Sequence, residues 1–314
     1  MNGNQLTPDL LVLGSGGVLG DVWMTGLLIG LERAGLDMEE SGGFVGTSAG
    51  SIVATRLAVK QDLEELIYKH VEVSGPPART VTPGDLEDHS KVRGGRLARL
   101  LMMQGAAGRT VRRLLLGRLP TGEQQLTHLG RDMKELAPDW PERLHITAVN
   151  ASTGGRVVFT RGRTHGLNVS EAVQASCAIP TVFRPVEGAN GAFVDGGVWS
   201  PSNLDAVPVK TGQTVVCLTP TGSDQRPMGF RRRASARLFR SIVDGEVARL
   251  RRQGIRALSI VPDQAASEAI GPSRMASGRE AEVYESAVAQ GLELADPLRR
   301  WLGSGSREDA ALSR

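Results

Sequence analysis

FVGTSAGS, residues 44–51, places one serine between two glycines and decides how the rest of the chain is interpreted. Phe44 and Val45, just before the motif, are typical of a short buried strand. AGSIVATRLAVK, residues 49–60, follows with apolar residues at helical spacing. A serine on a sharp turn between strand and helix is the arrangement that exposes a nucleophilic hydroxyl. The alternative is that Ser48 is only a small residue in a glycine-rich loop.

Strand and helix patterns alternate on both sides of this turn. Strand patterns cover residues 9–14, 43–46, 143–150, 156–160, 191–194, 214–218 and 257–261, and helix patterns cover 21–35, 49–60, 61–73, 168–178, 231–253 and 279–302. Such alternation predicts an α/β fold with a mainly parallel sheet covered by helices. We expect a single domain over residues 1–302 and a disordered tail over 303–314, which is small and polar.

Composition excludes several classes of protein. The 314 residues are 40% hydrophobic and 23% charged, as in ordinary globular proteins. Two cysteines, Cys177 and Cys217, are too few for a disulfide framework and favour a reducing compartment. The early apolar run LLVLG is too short for a signal peptide, and no stretch reaches the roughly 18 apolar residues of a membrane span. We therefore expect a cytoplasmic protein that contacts a membrane peripherally.

Positive charge is concentrated in two stretches. Residues 91–118 contain eight Lys or Arg and no acid, and residues 226–256 contain ten Arg against Asp244 and Glu246. Amphipathic helices of this kind bind anionic lipid headgroups. The alternative is that the arginines only solvate outer helix faces. Nucleic-acid binding is not expected, because the stretches contain few aromatic residues and no known nucleic-acid-binding motif.

The sequence does not predict an oligomeric state.

A nucleophilic serine needs a base, and histidine is a poor candidate here. The histidines are His70, His89, His128, His145 and His165. In α/β-hydrolases the catalytic histidine comes late in the chain. Here the last histidine is His165, near the middle of the chain. We expect His145 in a strand, His70 in a helix and the other three in polar loops.

Asp195 is the strongest alternative base. It follows the apolar strand pattern AFV and precedes Gly196 and Gly197, so backbone N–H groups could hold its carboxylate in place. The competing interpretation is structural, because Asp-Gly is a very common turn dipeptide.

A glycine-rich loop, LVLGSGGVLG, occupies residues 11–20. Its spacing, G-x-G-x-x-x-G, differs from the dinucleotide fingerprint, and no Gly-Lys pair of a phosphate-binding loop follows. Backbone N–H groups without side chains could instead face an oxyanion. The loop, the serine turn and the Asp-Gly-Gly turn then follow one another along the chain.

Together with ASCAIPTVFRPV, residues 175–186, these motifs resemble the patatin-like phospholipase family. The resemblance covers roughly residues 9–220. It implies a three-layer α/β/α sandwich and a Ser–Asp dyad, with Ser48 as nucleophile and Asp195 as base. It also implies Gly16 and Gly17 as oxyanion-hole donors, with Val18 as a third candidate.

The resemblance further gives structural roles to the motif glycines, Gly46 and Gly50 around the serine and Gly196 and Gly197 after the aspartate. It implies a serine acyl hydrolase that cleaves a lipid or other carboxylic ester through an acyl-serine, without cofactor or metal. The family loop commonly has Arg or Lys before its last glycine, where this chain has Leu19, and Ser15 replaces the first glycine of the usual triplet. Leu19 favours a second hypothesis, in which the protein is weakly active or inactive and binds lipid or a partner.

Overall fold

The computed structural model describes residues 6–65, 109–221 and 230–304, with side chains from residue 237 onward in the last range. The strands are β1 (Leu10–Leu13), β2 (Phe44–Thr47), β3 (Leu144–Asn150), β4 (Arg156–Phe159), β5 (Val186–Gly188), β6 (Gly191–Asp195), β7 (Thr214–Leu218) and β8 (Arg256–Ile260). The helices are α1 (Gly17–Arg33), α2 (Ala49–Ala58), α3 (Arg109–Leu116), α4 (Thr127–Leu136), α5 (Val169–Cys177), α6 (Phe230–Arg252), α7 (Gln264–Ile270) and α8 (Glu280–Gly303).

The strands form one mixed sheet in the order β5-β6-β3-β2-β1-β7-β8, and β4 pairs with β3. Neighbours from β3 through β2, β1 and β7 to β8 are parallel, whereas β4 and β6 run antiparallel to β3. The prediction of a mainly parallel sheet is therefore confirmed. Strand β4 covers the edge of β3 opposite to β2, whereas β6, which ends at Asp195, pairs with the last residues of β3 on the same edge as β2.

Alternating side chains send the two faces of the sheet into different cores. Leu11 and Leu13 pack into the large core under α1, α2, α5 and α8, whereas Leu10 and Val12 pack against α6. Helix α3 covers the same second face farther along, beside Val149 and other residues of β3 and β6. The three-layer α/β/α sandwich is confirmed, and α3 and α6 lie in one layer.

Helices α1 and α8 pack as closely as their backbones allow. A Cβ built on Gly26 would lie 2.9 Å from the Cβ of Ala287, and one built on Gly30 would collide with the carbonyl of Val288. The indole of Trp23 donates to Gln290 at 2.8 Å. The last helix of the domain is thereby fixed against the first.

Several predicted elements differ from the structure. Helix α1 begins at Gly17 rather than at residue 21, so the glycine-rich loop supplies the first turn of the helix. His128 lies in α4 and not in a loop. Strand β5 and helices α4 and α7 were not predicted. The predicted tail 303–314 lies almost entirely outside the described residues. Also outside them are His70, His89, residues 66–73 of the predicted helix 61–73, residues 91–108 of the first basic stretch and residues 226–229 of the second.

Candidate active site

Ser48 lies between β2 and α2 with a strained backbone. Its φ and ψ are +54° and −125°, a region that residues with a side chain rarely adopt. A Cβ on Gly50 would collide with the carbonyl of Leu13, and one on Gly46 would collide with Ser51. Both glycines are required because α2 starts against β1 and folds back over β2. The turn holds Ser48 at the carboxyl end of the sheet.

Asp195 is the last residue of β6 and has no exposed surface. Its Oδ1 accepts the N–H of Gly197 at 2.7 Å, and its own N–H donates to the carbonyl of Ala178 at 2.9 Å. Within the described residues Oδ2 has no hydrogen-bond partner. A Cβ on Gly196 would lie 2.6 Å from the carbonyl oxygen of Thr147, which explains the glycine after the aspartate. One carboxylate oxygen is held and the other is free to accept a proton.

Strand β3 brings the serine and the aspartate together. Thr47 lies opposite Thr147 and Asp195 lies opposite Ala148. Both are on the same edge of β3, because β4 pairs with Thr147 and Ala148 along the other edge. The ends of β2 and β6 therefore meet on one edge of β3, which brings Ser48 close to Asp195 although 147 positions separate them in sequence.

Burial dominates the electrostatics of this pair. Loss of water raises the pKa of Asp195 to about 7, although the N–H of Gly197 and the hydroxyl of Ser48 both act to lower it. The same burial, with the nearby charge of Asp195, raises the pKa of the Cys177 thiol. The site thus contains a carboxyl that titrates near neutral pH beside a serine hydroxyl, and a thiol that stays protonated.

The glycine-rich loop ends at the start of α1. The N–H groups of Gly14 and Ser15 donate to the carbonyls of Leu218 and Pro201, which fix the loop from two sides. Within the described residues, no acceptor contacts the N–H of Gly16, Gly17 or Val18. These groups lie at the positive end of a 17-residue helix. An anion is the kind of ligand that such a helix end attracts.

Leu19 does not point into this loop. Its side chain has no exposed surface and belongs to the large core, while its N–H donates to the carbonyl of Arg274 at 2.9 Å. A charged side chain at this position would have to be buried among apolar groups.

Sequence analysis missed two polar residues that hold the site. The Ser176 hydroxyl accepts the N–H of Ser48 at 2.8 Å and donates to the carbonyl of Thr147 at 2.7 Å. The amide of Asn203 donates to Thr47 Oγ1 and to the carbonyl of Gly196, both at 3.2 Å. Asn203 thus connects the residue before Ser48 to the residue after Asp195. Motif spacing gave no signal for either role.

The described histidines have other partners. His145 lies 3.3 Å from the carbonyl of Phe44, and its burial lowers its pKa. His165 bonds Asn190 and makes edge contacts with Phe159. His128 is exposed on α4. Among the described residues, none of the hydrogen bonds places a histidine on Ser48 or Asp195.

Carboxylates gather at one further place, after α1. Asp37, Glu39 and Glu40 lie close enough to share a cation, and Lys60 already donates to Glu40 at 2.6 Å. Solvent-facing acidic groups of this kind are common without a metal.

Comparisons with known proteins agree with the motifs. The family model for patatin-like phospholipase matches residues 11–208. The chain belongs to this family. Patatin-like phospholipases are lipid acyl hydrolases.

Relatives of this patatin-like protein are NTE family proteins. Over 215 residues it is 27% identical to an uncharacterized NTE family protein of Mycobacterium tuberculosis, and over 211 residues it is 26% identical to one of Mycobacterium bovis. These alignments cover 66% of the chain and 29% of each relative, so the chain spans less than a third of the length of the curated relatives it matches.

Two solved structures are similar in part. VipD from Legionella pneumophila aligns at a TM-score of 0.42 and 16% identity, over 92% of this chain and 67% of VipD. ExoU, solved in complex with SpcU from the type III secretion system of Pseudomonas aeruginosa, aligns at a TM-score of 0.37 and 20% identity, over 93% of this chain and 52% of ExoU.

None of the helices in the described ranges has the length and apolar character needed to cross a bilayer.

Proposed function

We propose that the protein is a lipid acyl hydrolase in which Ser48 and Asp195 form a catalytic dyad. The observation that carries the proposal is their placement at the ends of β2 and β6, which meet on one edge of β3 at Thr147 and Ala148. Within the described part of the chain, Oδ2 of Asp195 has no hydrogen-bond partner. The pKa of about 7 for Asp195 suits a general base at neutral pH, since a base works best when its pKa lies near the working pH.

The first half of the reaction forms an acyl-serine. Asp195 accepts the hydroxyl proton of Ser48 while Oγ attacks the ester carbonyl, and the carbonyl electron pair moves onto oxygen. The N–H groups of Gly16 and Gly17, with Val18 as a third donor, hold that oxyanion. Its collapse expels the alcohol or lysolipid, which takes the proton from Asp195.

The second half repeats these steps with water. Asp195 accepts a proton from water as the water oxygen attacks the acyl-serine. Collapse of this second oxyanion breaks the bond to Ser48 Oγ, which takes the proton back from Asp195, and the fatty acid is released. Both oxyanions form beside the first turn of α1, where the helix dipole favours negative charge. Losing one oxyanion donor costs a factor of about 100 to 1000 in comparable enzymes.

We also propose that α3 brings the protein to an anionic membrane. Val111 and Leu114 lie one helical turn apart with 45% and 51% of their surface exposed, and Arg109 and Arg113 are exposed beside them. Apolar side chains flanked by arginines are typical of helices that lie on anionic lipid.

The buried face of α3 contacts the segment that follows Asp195. Arg112 is buried, and its guanidinium lies 4.0 Å from the centroid of the Trp199 ring, four residues beyond Asp195. Arg249 of the second basic stretch is joined to the same region through Asp205. Asp205 also pairs with Arg156, whose guanidinium lies 5.4 Å from the centroid of the Trp199 ring. A cytoplasmic, peripheral location fits this surface and the two buried free thiols, Cys177 and Cys217.

The first test is hydrolysis of short- and medium-chain p-nitrophenyl esters by the wild type, Ser48→Ala and Asp195→Asn. Circular dichroism checks that each variant is folded. We expect both variants to lose turnover while remaining folded. Wild-type activity that survives in Ser48→Ala would refute the dyad, and a folded but inactive wild type would favour a lipid- or partner-binding role.

A further inference from the structure

The segment between α7 and α8, residues 271–278, lies on the glycine-rich loop; we call it the covering loop. It comes from the part of the chain beyond the family match, which ends at residue 208. The carbonyl of Arg274 accepts the N–H of Leu19 at 2.9 Å. The thioether of Met275 lies against Gly17, since a Cβ built on that glycine would lie 2.5 Å from Sδ.

Both ends of the covering loop are held. Gly271 and Gly278 have φ values of +63° and +86°, so the chain turns at each end in a conformation that favours glycine. Between α7 and α8, Arg279 donates to the carbonyl of Glu268 at 3.1 Å and to the carboxylate of Glu282 at 3.0 Å. The middle of the loop, with Ala276 packed on the large core, is thus placed over the first turn of α1.

This placement divides the first N–H groups of α1 between two roles. The covering loop satisfies Leu19, whereas Gly16, Gly17 and Val18 have no acceptor among the described residues. A helix start leaves its first N–H groups unpaired unless another group reaches them. The covering loop therefore fixes the start of the helix without occupying the three groups that face the oxyanion in the proposed reaction.

We propose that Met275 is a positioning and specificity-determining residue, whose thioether holds Gly17 in place and limits the space beside the ester carbonyl. This inference rests on the proposed hydrolase activity. The substrate it concerns is an acyl ester whose chain passes over Gly17. Methionine suits such a place because its unbranched side chain adapts to ligands of different shape.

The test compares Met275→Ala, Met275→Leu and the control Ser277→Ala, an exposed residue of the same loop. Each variant is assayed on p-nitrophenyl esters from acetate to dodecanoate, with kcat and KM measured separately. We expect Met275→Ala to change the ratio of kcat/KM between the longest and shortest ester by about tenfold, mainly through KM for the long chain. Met275→Leu should restore the wild-type ratio, and Ser277→Ala should keep it. An unchanged ratio in Met275→Ala overturns the specificity role.

Amide hydrogen exchange gives a readout that needs no activity. Removing the Met275 side chain should loosen the covering loop and speed exchange of the Leu19 amide several-fold, with Ser277→Ala unchanged. Equal exchange in Met275→Ala and the wild type overturns the positioning role. A wild type that hydrolyses no ester refutes the proposed function and the specificity role with it, and exchange then still decides whether Met275 positions the loop.

Discussion

The main-chain N–H of Ser48 donates to the hydroxyl of Ser176 across 2.8 Å, and the same hydroxyl donates to the carbonyl of Thr147. Ser176 lies in the last turn of α5, next to Cys177, so a helix from the middle of the chain holds the strained turn from outside. A backbone with φ of +54° persists only where its surroundings fix it. The serine turn therefore depends on α5 as well as on its own glycines.

Ser176→Ala should lower kcat at least tenfold and reduce stability by about 1–3 kcal/mol, because the buried N–H of Ser48 loses its acceptor. Ser170→Ala is the matched control, since Ser170 is also buried on α5 and donates to the carbonyl of Gly130 at 2.6 Å, away from the serine turn. Ester kinetics and urea unfolding separate the two effects. Equal kcat losses in both variants would mean that Ser176 acts only through stability.

Ser48→Gly should be more stable than Ser48→Ala by about 1 kcal/mol, although neither should hydrolyse esters. Glycine adopts a positive φ without the steric cost that alanine and serine share. Thermal unfolding of both variants and the wild type measures the difference. A glycine variant no more stable than the alanine variant would show that the turn stores no strain at this residue.

Activity should rise with pH through a midpoint near 7, because Asp195 must be ionised to accept a proton. Stability should change in the opposite direction. A carboxyl whose pKa is higher in the folded chain binds more protons when folded, so the free energy of unfolding falls as pH rises from about 4 to about 7. The full effect is of the order of 4 kcal/mol for the pKa of about 7 against about 3.9 in an unfolded chain.

Asp195→Asn removes this titration. Its free energy of unfolding, followed by urea denaturation between pH 4 and 8, should lack the fall seen in the wild type. If the two proteins show parallel pH dependence, burial does not raise the pKa of Asp195 as described.

The double variant Val111→Asn, Leu114→Asn should bind anionic vesicles more weakly, because it removes the exposed apolar surface of α3. Leu292→Asn is the control, an exposed leucine (48%) on α8. Co-sedimentation with phosphatidylcholine vesicles, with and without phosphatidylglycerol, measures binding at two salt concentrations. Hydrolysis of a water-soluble ester should stay unchanged in all variants. Equal vesicle binding by the two mutants would exclude α3 as the docking surface.

Ser48 and Asp195 could be predicted because each belongs to a short motif whose glycines leave a local pattern. Ser176 and Asn203 could not, since their hydrogen bonds reach residues 128 and 156 positions away. Whether the two motif residues form a dyad stays a prediction until activity is measured. The geometry does explain their proximity, because the register of β3 is a property of the whole sheet.

Errors in the predicted elements also have local causes. The sequence predicts the start of α1 too late because Gly17 and Gly20 disfavour a helix, whereas contacts with the covering loop and Pro220 stabilise it in the structure. Helix α4 was missed because THLGRDMKEL is mostly polar and buries only Leu129, Gly130 and Met133. In both cases tertiary packing overrides the local signal.

The close packing of α1 against α8 joins the first helix to a helix that lies beyond the family match. A fragment cut at residue 208, where the family match ends, would lose β7, the parallel neighbour of β1, together with α8. Gly26 and Gly30 would then face water from a helix that has almost no polar surface of its own. The residues after 208 thus complete the packing of the first strand and the first helix of the family-matched region.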